Sequence, residues 1–577
     1  MHRALQIPEV VDYIFQSADK EDLPICAVLC RAWELPALRV LWKAPADLTP
    51  LFRLLGPLSE SYEKTIHRSS GVPVEPERWE RFQRYSKLIR VLDISIGGQN
   101  GPIQDPDKPV PVVSPATFQE VALIAASTGQ PLFPSLTSLN VWLLSKESAT
   151  AASSLFLPRL SRVQLTWTSD SELGLPWLAS RLWNQAESMR MLALDFIATP
   201  TNPGVGVCNH LTRAVASFQG LTELDIPCFL AKYTPAWNVI ASLPKLEWFG
   251  IHNRMGFAIK GAEPEDQGGL CSFNGGFQSI THLVGEGAPD LALTLFQRSS
   301  PLPTLRSLQF RTQEPMSNNK EFSLLLEAIV ALAPNLEELC LTIEAPDDFT
   351  VEDFEALTKL KSLRGLWIRL ERMLPWTDEE YRSFASTMPR LTRLYLAMDP
   401  SYCPSHPEST LLALSYITST CPDLKELGIF VNALAPAFPG HDTTFEPLPP
   451  DITINFGFSL ISDPLLVAME LYRMCGQNHI LVTAGSGYAF PLANIEARDQ
   501  EFTDTYAERL NYWDDVREML ERLQPLVATL LRPLAIPLQQ LDAHAKNGAP
   551  LHEASENIES LLSVLHGPGA LGSILRQ

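Results

Sequence analysis

Apolar positions along the chain repeat at two scales. At the short scale the string P-x-L-x-x-L-x-L recurs, as PSLTSLNV from Pro134, PRLSRVQL from Pro158, PKLEWFGI from Pro244, PTLRSLQF from Pro303, PNLEELCL from Pro334, PRLTRLYL from Pro389 and PDLKELGI from Pro422. Without the proline it fits again with Ile89, Met189, Leu221, Ile280 and Leu363 as the first apolar residue. At the long scale the strings follow one another at roughly 24 to 34 residues, the mark of a stacked repeat array. The closing L-x-L has a strand's period of two, so both apolar side chains point to one side of a sheet. The proline stops the preceding helix, because it lacks an N–H and its ring clashes with the turn before it. Helical periodicity fills the gaps. Phe322, Leu325, Leu326, Ile329 and Val330 share a stripe, as do Leu211, Ala214, Val215 and Phe218, and Phe354, Leu357 and Leu360. Each unit reads as a strand followed by a helix, and stacked units bury the apolar core that one unit cannot.

The strings resemble leucine-rich repeats. That resemblance implies an α/β fold, an irregular solenoid with a curved parallel sheet and helices on its convex side. The family's Asn or Cys, three positions after the last apolar residue, is matched only by Asn432, so no internal asparagine ladder is expected. Gly97 to Pro115, Gly256 to Gly276 and Ala435 to Pro450 are rich in Pro and Gly and read as excursions. Farther on, Ile452, Ile454 and Phe456 alternate, Leu465 to Met474 reads as helix, and HILV reads as strand. Tyr506 to Leu531 is an amphipathic helix with Leu510, Trp513, Val516, Leu520 and Leu523 on one stripe, suited to a C-terminal cap. After Pro537 the pattern fades.

Ahead of the repeats, LQIPEVVDYIF and DLPICAVLCRAWELPALRVLW read as short helices over Pro8 to Gln16, Leu23 to Glu34 and Pro36 to Trp42. Pro8 suits a first helical turn, and Glu9 there favours the helix dipole. The segment resembles an F-box, through Ile7-Pro8-Glu9, Ile14-Phe15, Asp22-Leu23, Leu29-Cys30-Arg31-Ala32-Trp33 with Val28 beside it, and Leu41-Trp42. The layout is similar to the expanded fungal group of F-box proteins with leucine-rich repeats. The resemblance implies binding of a Skp-type adaptor, and through it a cullin-RING ligase of the SCF type. Ile7, Pro8, Glu9, Ile14, Phe15, Leu23, Val28 and Leu29 would face the adaptor, and Cys30, Trp33 and Trp42 would hold the three helices together. The other reading makes this segment an N-terminal cap for the array, since terminal repeats are commonly atypical. The domain plan is then 1–56 for the F-box-like helices, 57–500 for the array, and 501–577 for a helical cap and tail.

Composition narrows the partners. Of 577 residues, 45% are hydrophobic and 19% charged, a globular balance. A formal net charge of -21 repels phosphate backbones and anionic lipid, so neither nucleic acid nor a membrane surface is expected. Glu9 and Asp12 interrupt the N-terminal apolar run, so no secretory leader is expected and the chain reads as intracellular, cytoplasmic or nuclear. The nine cysteines include no C-x-x-C pair, and Cys26 and Cys30 read as packed thiols. There is no H-E-x-x-H and no G-x-S-x-G, and AGSGYAF from Ala484 lacks the spacing and lysine of a phosphate loop. No catalytic, cofactor or metal residues are assigned. Arg78, Arg81, Arg84, Lys87 and Arg90 recur every third residue, either as an anion-binding stripe or as a solvated face beside Glu77 and Glu80.

The strand residues between the inward apolar positions face the open side of the sheet. They include Asn140, Trp142, Gln164, Thr166, Gly250, His252, Gln309, Arg311, Trp367, Arg369, Tyr395 and Phe430. Trp142, Arg311, Trp367, Arg369, Tyr395 and Phe430 are the candidate substrate residues, because Trp, Tyr and Arg dominate binding hot spots. The last four belong to three neighbouring units and would suit an apolar or acidic peptide, unless a loop packs over the rings. The expected function is substrate recognition for an SCF-type ubiquitin ligase. The alternatives are a repeat scaffold without ligase recruitment, or an enzyme with its groups on the excursion loops.

Overall fold

Each L-x-L string forms a strand whose apolar side chains line up with those of its neighbours. The computed structural model describes residues 7–60, 66–68, 73–96, 112–143, 145–168, 174–197, 205–252, 276–297, 299–312, 314–344, 349–370, 372–397, 407–434, 447–457, 459–475, 480–483 and 508–523. Most of the three excursions, the AGSGYAF segment and everything after residue 523 lie outside the described residues. The chain divides into two compact units, Met1–Asp347 with Glu352–Leu363, and Asp348–Val351 with Arg364–Gln577. The division falls inside the span read as a single array, and the N-terminal helices belong to the same unit as the first repeats.

In the first unit the strands are β1 (Leu58–Glu60), β2 (Ile66–Arg68), β3 (Val91–Ile96), β4 (Val112–Val113), β5 (Ser138–Leu143), β6 (Arg162–Thr168), β7 (Met191–Ile197), β8 (Glu223–Pro227), β9 (Trp248–His252), β10 (His282–Gly287), β11 (Ser307–Thr312) and β12 (Glu338–Ile343). β1 pairs antiparallel with β2. β4 sits between β2 and β3, and from β3 onward the strands pair in parallel with β5 and so on in chain order to β12. One buried apolar residue per strand stands in register from Leu92 through Leu139, Val163, Leu192, Leu224, Phe249, Leu283 and Leu308 to Leu339. In the second unit, β13 (Gly365–Leu370), β14 (Arg393–Leu396), β15 (Glu426–Ile429), β17 (Ile452–Asn455) and β19 (Ile480–Thr483) pair in parallel in that order. Its buried row runs Leu366, Leu394, Leu427, Ile454, Val482. A separate pair is formed by β16 (Asn432–Ala433) and β18 (Leu460–Ile461).

Main-chain bonds stitch the repeats where the strands begin. Two successive N–H groups of each repeat donate to one carbonyl of the repeat before it. Thr137 and Ser138 reach Arg90, Ser161 and Arg162 reach Thr137, Arg190 and Met191 reach Ser161, and the pattern continues to Glu337 and Glu338 on Arg306. The second unit repeats it with Thr392 and Arg393 on Arg364, and Lys425 and Glu426 on Thr392. The hydroxyls of Thr137, Ser161, Thr222, Thr281 and Thr392 donate to the same carbonyls, at 3.0–3.2 Å. This ladder uses groups that every residue carries, which is why the repeats stack without an asparagine ladder.

The gaps are helical, as the periodicity predicts. Asn319–Leu332 buries Phe322, Leu325, Leu326 and Ile329, and the Asn318 side chain caps it by accepting from the Glu321 N–H. Phe354, Leu357 and Leu360 recur every third residue, and that spacing yields a 3₁₀ helix, Val351–Lys359, with three residues per turn. Neighbouring helices pack on one another, Leu175–Trp183 on Val205–Ala216 and Asp378–Ser386 on Leu412–Thr420. Residues 508–523 are helical and bury Trp513, Val516, Leu520 and Leu523. Trp513 stacks on Phe456 at 4.0 Å and donates its Nε1–H to the Ser459 carbonyl at 3.0 Å. Among the described residues no helix is long and apolar enough to cross a membrane.

The N-terminal helices are α1 (Pro8–Gln16), α2 (Leu23–Leu29) and α3 (Arg31–Lys43). The predicted break at Pro36 falls instead at Cys30, whose extended backbone ends α2 and begins α3. Pro36 lies inside α3, where it deprives only the Ala32 carbonyl of a helical partner. Val11, Phe15, Leu23 and Ala37 form the core of the three helices, with Cys26, Trp33 and Leu41 packed against it. Trp33 meets Phe15 edge-on at 5.8 Å, and so does help to hold the helices together. Trp42 serves elsewhere, with its ring 5.3 Å from Tyr85 in the first array helix, Pro76–Ser86. Glu34 accepts from Arg84 at 2.6 Å, and the Lys43 carbonyl accepts from the Arg90 N–H. The basic stripe on that helix is exposed, and Arg78 pairs with Glu75 and Arg84 with Glu34.

Candidate functional site

α1 carries apolar residues on two sides. Val11 and Phe15 turn into the three-helix core, while Ile7 just ahead of the helix and Val10, Tyr13 and Ile14 within it remain exposed. α2 does the same, burying Leu23 and presenting Ile25, Val28 at 83% exposure and Leu29 at 63%. Of the residues expected to face an adaptor, Ile7, Glu9, Ile14, Val28 and Leu29 are accessible. Pro8 opens α1. Phe15, at 4% exposure, and Leu23, at 0%, are inside and support the surface from below rather than forming it. Val10, Tyr13, Ile25 and Leu35 are exposed apolar residues the sequence reading missed. The signal was present in α1, where two stripes at helical spacing lie side by side and only one can face α3.

The strand face of the second unit gathers part of the predicted substrate patch. Trp367 and Tyr395 are register partners on β13 and β14, and their rings stack at 5.9 Å with an interplanar angle of 9°. The Arg393 guanidinium lies over the Trp367 ring, 4.7 Å from its centroid. The Tyr395 hydroxyl donates to Glu426 Oε2 at 2.8 Å. Gly365 permits this packing, because a Cβ there would stand 2.5 Å from the Trp367 ring. Arg369 is exposed on the same strand. Phe430 is not part of the patch. It follows the last residue of β15, where strand alternation no longer applies, and is buried with Met373 and Leu460 beneath Leu510 of helix 508–523.

The strand face of the first unit is polar. Asp93, Asn140, Gln164, Ala193, Asp225 and Gly250 form one register row. Ser95, Trp142, Thr166 and Asp195 form the next. His252 joins the two rows. Its Nδ1 lies 2.7 Å from Asp225 Oδ1 and its Nε2 lies 3.0 Å from Asp195 Oδ1. Burial by itself would lower the pKa of His252, but the hydrogen bonds and charges of the two aspartates outweigh it and raise it to about 9. At neutral pH the imidazolium donates to both carboxylates. Burial pushes the Asp93 carboxyl above its ordinary value, against hydrogen bonds from Asn140 and Trp142. Trp142 and Arg311 are half-buried and sit six strands apart in chain order, on β5 and β11, so they do not form one patch. The sequence placed Asn140, Thr166 and His252 on this face but missed Asp93, Asp195 and Asp225, which occupy the same alternate positions. Among the described residues no group of three or more His, Cys, Asp or Glu could hold a metal ion.

No protein-family model matches the chain, and no curated protein matches it. Among solved structures, the crystal structure of the Rad7 and Elc1 complex in yeast aligns with 84% of this chain and 90% of that chain, at 12% identity and a TM-score of 0.30. A superposition that loose carries no argument about this chain. The parallel strand–helix repeats stand on the geometry itself.

Proposed function

We propose that this chain is the substrate-recognition subunit of an SCF-type ubiquitin ligase, non-catalytic itself, with α1 and α2 engaging a Skp-type adaptor and the strand faces receiving a protein substrate. One observation carries the proposal. The N-terminal helices build their own small core and still leave Ile7, Val10, Tyr13, Ile14, Ile25, Val28 and Leu29 exposed. Apolar side chains concentrated on two short helices mark an interaction surface rather than ordinary surface scatter. The F-box resemblance, carried among these by Ile7, Ile14, Val28 and Leu29, supports an adaptor as the occupant. Recruitment to a cullin-RING ligase would then pass through the adaptor.

A second reading has support of its own. Trp42 on Tyr85, Glu34 with Arg84 and Lys43 with Arg90 tie α3 to the first repeats, as a cap would be tied. Calorimetric titration with a purified Skp-type adaptor separates the two. The wild-type chain is expected to bind, and Val28→Asp with Leu29→Asp to weaken binding at least about a hundredfold, an effect of hot-spot size. The thermal midpoint should not move. Equal binding by the double variant, or none by the wild type, favours the cap.

A further inference from the structure

The polar strand face of the first unit has more hydrogen-bonding capacity than its own residues use. Thr166 is at 0% exposure and its Oγ1 has no partner. Ser95 is buried with its Oγ likewise unpaired, and Asn140 Oδ1 and Asp93 Oδ1 are buried without partners. All four belong to adjacent strands, β3, β5 and β6, on the side opposite the apolar rows. Buried polar atoms left unpaired are costly, so a face that concentrates them is built to be completed by something else. The charge on this face indicates what that is. Asp93, Asp195 and Asp225 stand at outward positions of this face, and among the described residues His252 is the cation bonded to the last two. Arg162 and Glu223 stand at the starts of β6 and β8.

Resting on the reading that the strand face receives the substrate, we propose that this strip binds a lysine- or arginine-bearing segment of a protein partner, its cation seated beside Asp93 and Trp142. The cation's N–H groups would reach Asp93, Asn140 and the hydroxyls of Ser95 and Thr166, and the indole adds a cation–π contact. A cation there also offsets the burial that disfavours the Asp93 charge. The chemistry differs from that of the second unit's face, where Trp367 already has a guanidinium over its ring.

The test is fluorescence anisotropy on the full chain, with a labelled octapeptide of alternating lysine and glycine and a twin carrying glutamate for lysine. The lysine peptide is expected to bind and its twin not to. Asp93→Asn should weaken binding at least about tenfold, the loss of a close charge pair. Glu337→Gln, which removes an exposed carboxylate 3.5 Å from Arg306 Nε, should leave it unchanged. If Asp93→Asn lowers the thermal midpoint, Thr166→Val replaces it, with weaker binding again expected. Equal losses from Asp93→Asn and Glu337→Gln would reduce the attraction to the net charge of -21 and overturn the site. Binding of the glutamate twin would overturn it as well. Adaptor titration on the same preparations separates the two proposals. Discrimination between the peptides without adaptor binding sinks the ligase reading and leaves this site standing, and adaptor binding without discrimination sinks this site alone.

Discussion

The N-terminal helices and the repeats spend the same residue types in opposite ways. In the repeats, Leu, Val and Ile at the inward strand positions are buried in register, strand after strand. In α1 and α2, Val28, Leu29 and Ile25 stand in the open. Charge follows the same division. The repeats enclose His252 between two carboxylates, whereas the Arg39–Asp12 pair of the helices is 3.8 Å long and partly exposed. Side chains that are sealed in contribute stability. Apolar side chains left exposed contribute none until a partner covers them, and that contrast separates a framework from an interface.

The comparison breaks first at Leu339. Leu339→Ala removes a fully buried side chain between neighbouring strands and should cost about 2–5 kcal/mol in denaturant unfolding. A loss no larger than that of Glu338→Ala, its half-buried neighbour, would mean that the inward row is not the framework.

A somewhat smaller effect is expected at His252. Its pKa is raised from an ordinary 6.5 to about 9, so the folded state holds the proton more tightly than the unfolded chain does. That stability is fully present below pH 6.5 and is lost as pH rises through 9. The shift corresponds to about 3 kcal/mol. Chemical unfolding from pH 6 to 10 should show a decline in the wild type that His252→Gln lacks. Parallel curves for the two proteins would show that the buried charge anchors nothing.

The smallest effect belongs to the helices. Val28→Ser should change unfolding free energy by less than about 0.5 kcal/mol, the range of ordinary surface substitutions. A cost approaching that of Leu339→Ala would place Val28 in a framework and end the contrast.

Much of the fold was legible because the L-x-L period is local. Apart from β4, β16 and β18, the strands from β3 to β19 coincide with strings or alternations visible in the sequence, and the stripe of Phe354 and Leu357 marks a helix, of the 3₁₀ kind. Thr or Ser after the first apolar residue of LTSL, LSRV, LTEL, ITHL and LTRL was legible too but went unread, and its hydroxyl serves the inter-repeat ladder. The candidate sites were less legible. Phe430 continued the alternation on paper, but β15 ends at Ile429 and the ring turns into a core completed by a helix from residues 508–523.

By itself the sequence determined which strand residues face inward and which outward, because strand alternation depends only on the nearest neighbours in the chain. It also determined that α1 has two apolar stripes, since helical spacing is equally local. Only the tertiary structure decided which stripe is the core, because Val11 and Phe15 face α3 while Val10 and Ile14 do not. Only the tertiary structure brought His252 to Asp225, 27 residues away, and to Asp195, 57 away. Repeats of unequal length set no fixed spacing between outward residues, so their meeting depends on the register of parallel strands, and that register is imposed by packing of the buried rows beneath.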